Sequence, residues 1–63
     1  MKLSIKAWRV ERGMTQEKLA KELGVSKKTI GLWESGAVKP NLDKVEPICQ
    51  ALGVSYDDIR WAV

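Results

Sequence analysis

Basic and hydroxyl side chains cluster between residues 27 and 35, where they can bind anionic or hydrogen-bonding partners without covalent chemistry. A helix over this segment would turn Ile30 and Trp33 inward at the spacing of three residues. Its opposite face would carry Lys28, Thr29, Leu32 and Ser35. The spacing therefore predicts a surface helix that is basic and hydroxylic outside, with one apolar exception at Leu32. Such a face suits nucleic-acid bases and phosphates.

Catalytic and metal-binding constellations have few candidates in this chain. There is no histidine and only one cysteine, Cys49, so no intrachain disulfide is possible and the usual zinc ligands are missing. Cys49 shares a helical stripe with Val45 and Leu52, which predicts a buried, reduced core residue. The adjacent carboxylates Asp57 and Asp58 are typical of a helix start. We expect no enzymatic activity, cofactor or metal.

Charge is distributed unevenly along the 63 residues. Residues 1–40 hold nine Lys and Arg against four Asp and Glu, a balance of +5, whereas residues 41–63 hold two against four, a balance of −2. The basic half contains the segment described above, which favours an anionic partner. The length predicts one domain over residues 1–63 with one small core.

Turn and cap residues divide the chain into short helices without any predicted strand. Ser4 begins a first helix that runs to about Arg12, and Thr15 begins a second over residues 16–23. Gly24 ends the second helix, and Ser26 begins a third over about 27–34. The segment 15–36 therefore has the layout of a helix-turn-helix.

The C-terminal third predicts a fourth helix and a short fifth one. Asn41 is the expected cap of the fourth helix, and Gly53 its terminator; its apolar positions are Leu42, Val45, Ile48, Cys49 and Leu52. Pro47 lies inside this helix, so we expect a bend or a break between Asp43 and Pro47. The residues from Ser55 to Asp58 resemble a capping box that starts the last helix.

The chain resembles the phage-repressor-like helix-turn-helix domains of the Cro/C1 or XRE type, and the resemblance covers nearly its whole length. The residues that carry it are Arg9, Gly13-Met14-Thr15-Gln16, Leu19-Ala20, Gly24-Val25-Ser26, Ile30, Trp33-Glu34, Ser35-Gly36, Pro40, Ala51-Leu52-Gly53-Val54-Ser55 and Asp58-Ile59. The resemblance implies a compact, all-α, lambda-repressor-like domain of five helices. It also implies that the third helix enters the major groove of DNA.

Functional positions of that family fall on residues of this chain. Lys27, Lys28 and Leu32 occupy positions that look like base-reading ones, although each lysine can hold a phosphate instead. Gln16 and Thr29 fall where the family touches phosphate, and Ser35 and Lys39 are further phosphate candidates. Similar domains often place glutamine where the lysines stand. Leu32 cannot hydrogen-bond a base, so it would read sequence by packing on a thymine methyl.

The resemblance assigns structural roles to a second group of residues. Arg9 and Glu34 stand where the family forms an ion pair between the first and third helices. Trp8 and Trp33 are core residues by their periodicity rather than platforms for bases. The apolar end of the chain either closes the core or contacts a partner. Family members commonly dimerise there, which makes Ile59, Trp61 and Val63 candidates for a homodimer contact.

These observations favour a sequence-specific regulator of transcription that binds double-stranded DNA, most simply a phage or bacterial repressor that occupies an operator of two half-sites as a homodimer. The alternative is a protein-binding module, such as an antitoxin-like or adaptor domain, that uses Leu32 and the apolar C-terminus. A further alternative is one domain of a longer repressor, with its main dimer contacts elsewhere. No long apolar run follows MKLSIKAW, so we expect a cytoplasmic protein that neither spans nor is anchored to a membrane.

Overall fold

The computed structural model describes residues 2–61, and they form four α-helices and one turn of 3-10 helix. The helices are α1 (Ile5–Glu11), α2 (Gln16–Leu23), α3 (Lys27–Ser35) and α4 (Leu42–Leu52), followed by the turn Tyr56–Asp58. The domain is all-helical as predicted, but the expected fifth helix is only this single turn. It stops there because Ile59 is already extended, at φ −107° and ψ 131°.

Short hydroxyl side chains begin the first three helices at the predicted positions. Ser4, Thr15 and Ser26 each accept a hydrogen bond from a backbone N–H of the first helical turn, at 3.0 to 3.1 Å. A cap of this kind contributes about 1 kcal/mol. Asn41 precedes α4 in the same extended conformation but makes no capping hydrogen bond through its side chain. The prediction that the Asn41 side chain caps α4 is therefore wrong, although the helix begins where expected.

Pro47 lies inside α4 without ending it. The helix continues from Leu42 to Leu52, so the break that the proline predicted does not occur. Near its start, the backbone N–H of Lys44 donates to the carbonyl of Asn41 at 2.9 Å, a three-residue spacing that tightens the first turn. The proline deprives the carbonyl of Asp43 of its helical donor, and Asp43 lies on the exposed side of the helix.

One apolar core joins all four helices and the segment after them. It consists of Ile5, Leu19, Ala20, Leu23, Ile30, Trp33, Ile48, Leu52 and Ile59. Ala20 is small where α2 crosses its neighbours. Cys49 is half-buried against this core rather than fully inside it, and burial raises the pKa of its thiol, which keeps it protonated and unreactive.

Leu42 departs from the expected core stripe of α4. Its side chain is 90% exposed, because it is the first residue of the helix and the core is reached only further along, at Ile48 and Leu52. An isolated leucine on the surface is ordinary. Leu42 lines a cleft together with the exposed Tyr56 and the half-buried Val45 and Trp61.

The two ends of the described chain are joined by a single parallel bridge between Leu3 and Ile59. The N–H of Leu3 donates to the carbonyl of Asp58 at 3.1 Å, and the N–H of Arg60 donates to the carbonyl of Leu3 at 2.9 Å. The indole Nε1 of Trp8 also donates to the Asp58 carbonyl, at 2.7 Å. Apart from this bridge, residues 2–61 contain no strand. The bridge holds the last segment over α1 and keeps Ile59 in the core.

Gly31 lies inside α3, where a glycine stabilises the helix less than an alanine would. An added Cβ would meet no other atom within 4 Å. Because alanine favours the helix interior over glycine by about 1 kcal/mol, Gly31→Ala should raise the free energy of unfolding by about that amount. Urea denaturation followed by circular dichroism measures the change.

Gly24→Ala is the matched control for that substitution. A Cβ at Gly24 has equally open surroundings, but its φ is +69°, which alanine adopts only at a cost of roughly 1–2 kcal/mol. Gly24→Ala should therefore lower the free energy of unfolding. A loss of stability in Gly31→Ala would contradict the prediction.

Candidate nucleic-acid interface

The turn between α2 and α3 fixes the angle at which α3 leaves the core. Gly24 takes the left-handed conformation, with φ 69° and ψ 31°, and ends α2. The N–H of Val25 then donates back to the carbonyl of Ala20 at 3.0 Å, and Val25 packs against the core. Ser26 follows at once as the cap of α3. Only three residues therefore join the two helices, so their relative placement is tightly constrained.

The inner side of α3 is anchored and its outer side is open to solvent. Ile30 and Trp33 are buried in the core, which prevents the helix from rolling. Lys27 and Lys28, at its N-terminal end, are both exposed. The N-terminal end of α3 thus carries two positive charges on a helix that the core holds in place.

Hydroxyl groups on α3 are already engaged in local hydrogen bonds. The Oγ1 of Thr29 lies 2.9 Å from the Oγ of Ser26. The hydroxyl of Ser35 donates to the carbonyl of Leu32 at 3.1 Å and accepts from the N–H of Ala37. Ser35 is exposed, but its one hydroxyl proton must leave that carbonyl before it can bind a phosphate.

Leu32 and Lys39 differ in their settings. Leu32 is half-buried rather than fully exposed, so only part of its side chain remains for contact with a base or a protein. Lys39 is exposed in the loop after α3, where it lies at the rim of a cleft formed with α4 and the C-terminal segment. Lys39 is therefore placed beside that cleft rather than on α3 itself.

A buried ion pair links α1 to α3. The Nε of Arg9 donates to the Oε2 of Glu34 at 2.6 Å, and the two side chains are only 11% and 4% exposed. The Nη1 of Arg9 donates to the carbonyl of Met14 at 2.7 Å, just before α2. Gln16, the first residue of α2, donates from its Nε2 to the Oε1 of Glu34 at 3.0 Å. One polar cluster thus joins three helices.

The residues predicted for a dimer contact differ in their exposure to solvent. Ile59 is only 2% exposed, so its side chain belongs to the chain's own core and does not reach a partner. Trp61 is half-buried and stacks on Tyr56, with ring centroids 5.3 Å apart, while its Nε1 donates to the carbonyl of Tyr56. Val63 lies outside the described residues.

An apolar cleft near the C-terminus brings together residues that the sequence did not predict to share a site. This C-terminal cleft has a volume of about 250 Å³ and is lined by Lys39, Pro40, Leu42, Val45, Tyr56 and Trp61. Leu42 is 90% exposed and Tyr56 is 58% exposed. The periodicity of α4 predicted that the side chain of Leu42 points inward. The relevant signal was the closeness of Leu42 to the cap.

Over residues 2–61, no three side chains of His, Cys, Asp or Glu come close enough together to hold a metal ion. None of the helices found there is long and apolar enough to cross a membrane.

Comparison with known proteins matches this geometry to a family. A family model described as helix-turn-helix matches residues 5–59. The chain is also 34% identical over 61 residues to YgzD of Bacillus subtilis, an uncharacterized HTH-type transcriptional regulator, covering 97% of this chain and 92% of YgzD. The chain belongs to the helix-turn-helix family of transcriptional regulators. The resemblance to Cro/C1-type domains is thereby confirmed, and DNA binding is the activity that the family implies.

Two further relatives of this helix-turn-helix domain are longer than it. The transcriptional repressor RstR of the cryptic phage CTXphi in Vibrio cholerae is 40% identical over 55 residues, which cover 87% of this chain and 50% of RstR. The crystal structure of the hypothetical transcription factor NHTF from Neisseria superposes with a TM-score of 0.77 at 28% identity. That match covers 86% of this chain and 61% of NHTF.

The buried ion pair of this helix-turn-helix domain should be sensitive to the loss of one partner. Arg9→Met would leave the Glu34 carboxylate buried without its cation, so we expect the free energy of unfolding to fall by about 3–5 kcal/mol. Guanidinium denaturation measures this. The double variant Arg9→Met/Glu34→Met should recover part of the loss, and Lys6→Met, an exposed cation on α1, serves as the control. Equal effects of Arg9→Met and Lys6→Met would contradict the prediction.

Proposed function

We propose that this domain binds double-stranded DNA in a sequence-specific manner through α3 and represses transcription by occupying an operator. The observation that carries the proposal is the pair of exposed lysines at the N-terminal end of α3, on a helix anchored by Ile30 and Trp33. A helix presented in this way can enter a major groove with its first turn. Repression needs no further group, because a bound domain blocks access to the site.

The two lysines can act on bases or on the backbone of the duplex. A lysine donates well to the O6 and N7 of guanine and equally well to a phosphate oxygen. Lys27 and Lys28 are adjacent and therefore point in directions about 100° apart on the helix, so they reach different groups. Leu32 lies one turn further along, where its exposed part can pack on a thymine methyl.

Phosphate contacts would come from the start of α2 and from α3. Gln16 is the first residue of α2, where the backbone N–H groups of a helix start favour an anion. Thr29, half-buried in the first turn of α3, is a second candidate. Ser35 and Lys39 extend the proposed contact, Ser35 only after its present hydrogen bond opens. The +5 balance of residues 1–40 supports this assignment.

DNA affinity tests the proposal directly. The double variant Lys27→Ala/Lys28→Ala should weaken binding to a mixed-sequence duplex library at least tenfold at moderate salt. The affinity should also fall steeply with salt, and each phosphate contact removed should reduce the slope of log K against log salt by about 1. Selection of preferred duplexes separates the roles, because loss of a base contact relaxes one position instead.

The control removes two exposed cations outside the motif, Lys6 and Arg60, by alanine substitution. It should change affinity far less than Lys27→Ala/Lys28→Ala. No duplex binding by the unaltered domain, or no loss in the lysine variant, would overturn the proposal. A reporter gene behind the selected site should be repressed; activation would contradict the repressor role.

We infer further that two copies pair through the C-terminal cleft, so that two α3 helices face two half-sites. Leu42 protrudes beside a cleft that is large enough for an aliphatic side chain. If two copies are related by a two-fold axis, the Leu42 side chain of each copy can enter the cleft of the other. This moves the proposed contact from Ile59 to Leu42, Tyr56 and Trp61. The competing role for the same surface, and for Leu32, is the binding of a different protein.

Leu42→Glu tests the pairing without harming the fold. Glutamate in the first turn of a helix is favourable to the helix dipole, so stability should not fall. Sedimentation equilibrium in the presence of a duplex with two half-sites should show two copies bound for the unaltered domain and one for Leu42→Glu. Val10→Glu, which changes another exposed apolar residue, should bind as two copies. Pairing that survives Leu42→Glu would contradict this assignment.

A further inference from the structure

Gln16 makes a side-chain contact that its expected role at the DNA surface does not require. Its Nε2 donates to the Oε1 of Glu34 at 3.0 Å, and the same oxygen receives the Nη2 of Arg9 at 3.3 Å. Gln16 is half-buried, whereas Glu34 is almost fully enclosed. A residue at the edge of the domain is thus tied to the buried ion pair.

The chemistry of Glu34 fixes which end of the Gln16 amide makes this contact. An ionised carboxylate only accepts hydrogen bonds, so the amide nitrogen must face Glu34 and the amide oxygen must face away. A glutamine in free solution presents either end to a partner. Here one Nε2 hydrogen is donated to Glu34, and no hydrogen bond of the second is found within residues 2–61.

Arg9 binds both Glu34 and the backbone just before α2. Its Nε and Nη2 bind the two oxygens of Glu34, and its Nη1 donates to the carbonyl of Met14, two residues before Gln16. The carboxylate and the start of α2 are therefore positioned by one guanidinium. Because the fork of donors in arginine is rigid, the distance between Glu34 and the backbone that carries Gln16 is fixed as well.

We propose that Glu34 is a positioning residue for DNA binding: held by Arg9, its carboxylate orients the Gln16 amide so that the second Nε2 hydrogen points to a DNA phosphate. The inference rests on the proposed function, since it needs Gln16 to lie at the duplex. It assigns the buried ion pair a role in recognition in addition to its role in stability.

A double-mutant cycle on DNA affinity tests the coupling. Gln16→Met keeps the length of the side chain but removes its donors, and Glu34→Gln keeps hydrogen bonding but allows either orientation of the Gln16 amide. Against a mixed-sequence duplex library, Gln16→Met should weaken binding about tenfold and Glu34→Gln severalfold. In the Gln16→Met background, Glu34→Gln should cause no further loss, because there is no donor left to orient.

The outcomes separate this inference from the proposed function. Equal losses from Glu34→Gln in both backgrounds would assign Glu34 a structural role only, and no loss from Gln16→Met would remove Gln16 from the interface. Either result overturns the inference while the effect of Lys27→Ala/Lys28→Ala on affinity still stands. Failure of the unaltered domain to bind any duplex would instead overturn the proposed function. Circular dichroism at the assay temperature confirms that each variant is folded.

A second measurement needs no variant and applies even if Glu34→Gln unfolds. The chain has two glutamines, and Gln50 provides an internal control because, within residues 2–61, its side-chain amide hydrogen-bonds to the exposed Glu46 alone, at 3.3 Å. Side-chain amide protons of Gln16 should exchange with water more slowly than those of Gln50 and should shift on addition of duplex. Equal exchange rates for the two glutamines, or no shift on DNA addition, would overturn the inference.

Discussion

The buried pair of Arg9 and Glu34 is the interaction on which the placement of α1, α2 and α3 depends. Apolar side chains hold the helices by their fit to one another, whereas an enclosed charge also requires one specific partner. The 2.6 Å contact between the two side chains therefore fixes one register between α1 and α3.

The local features of the fold followed from the sequence. Ser4, Thr15 and Ser26 acted as the predicted caps, and Gly24 took the left-handed turn, because these effects are decided within four residues. The side-chain cap expected at Asn41 did not form, although it is also a local feature. Other departures depend on distant parts of the chain: Ile59 was a candidate for a partner contact, yet it pairs with Leu3, more than fifty residues away, and fills the core. Helical periodicity cannot reveal such a contact.

The resemblance to Cro/C1-type domains supplied the candidate site residues but not their hydrogen-bond partners. Gln16, Lys27 and Lys28 came from it together with the DNA contacts expected of them, and those roles stay predictions. Only the structure shows that Gln16 donates to Glu34 and that Ser35 donates to the carbonyl of Leu32. The spacing of polar residues along the sequence does not determine which acceptor each donor binds. The sequence did not predict the C-terminal cleft for a related reason, since the cleft forms only where α4, Tyr56 and Trp61 meet.

The bridge between Leu3 and Ile59 has a consequence for proteins that carry this fold as one part of a longer chain. Because the first and last described segments are hydrogen-bonded side by side in parallel, polypeptide before Leu3 and polypeptide after Ile59 meet the domain at one corner but run on in opposite directions. That corner is built from α1 and the C-terminal segment, not from the turn between α2 and α3. In a longer chain that carries this fold, additional modules would therefore attach at that corner and leave the helix-turn-helix unchanged.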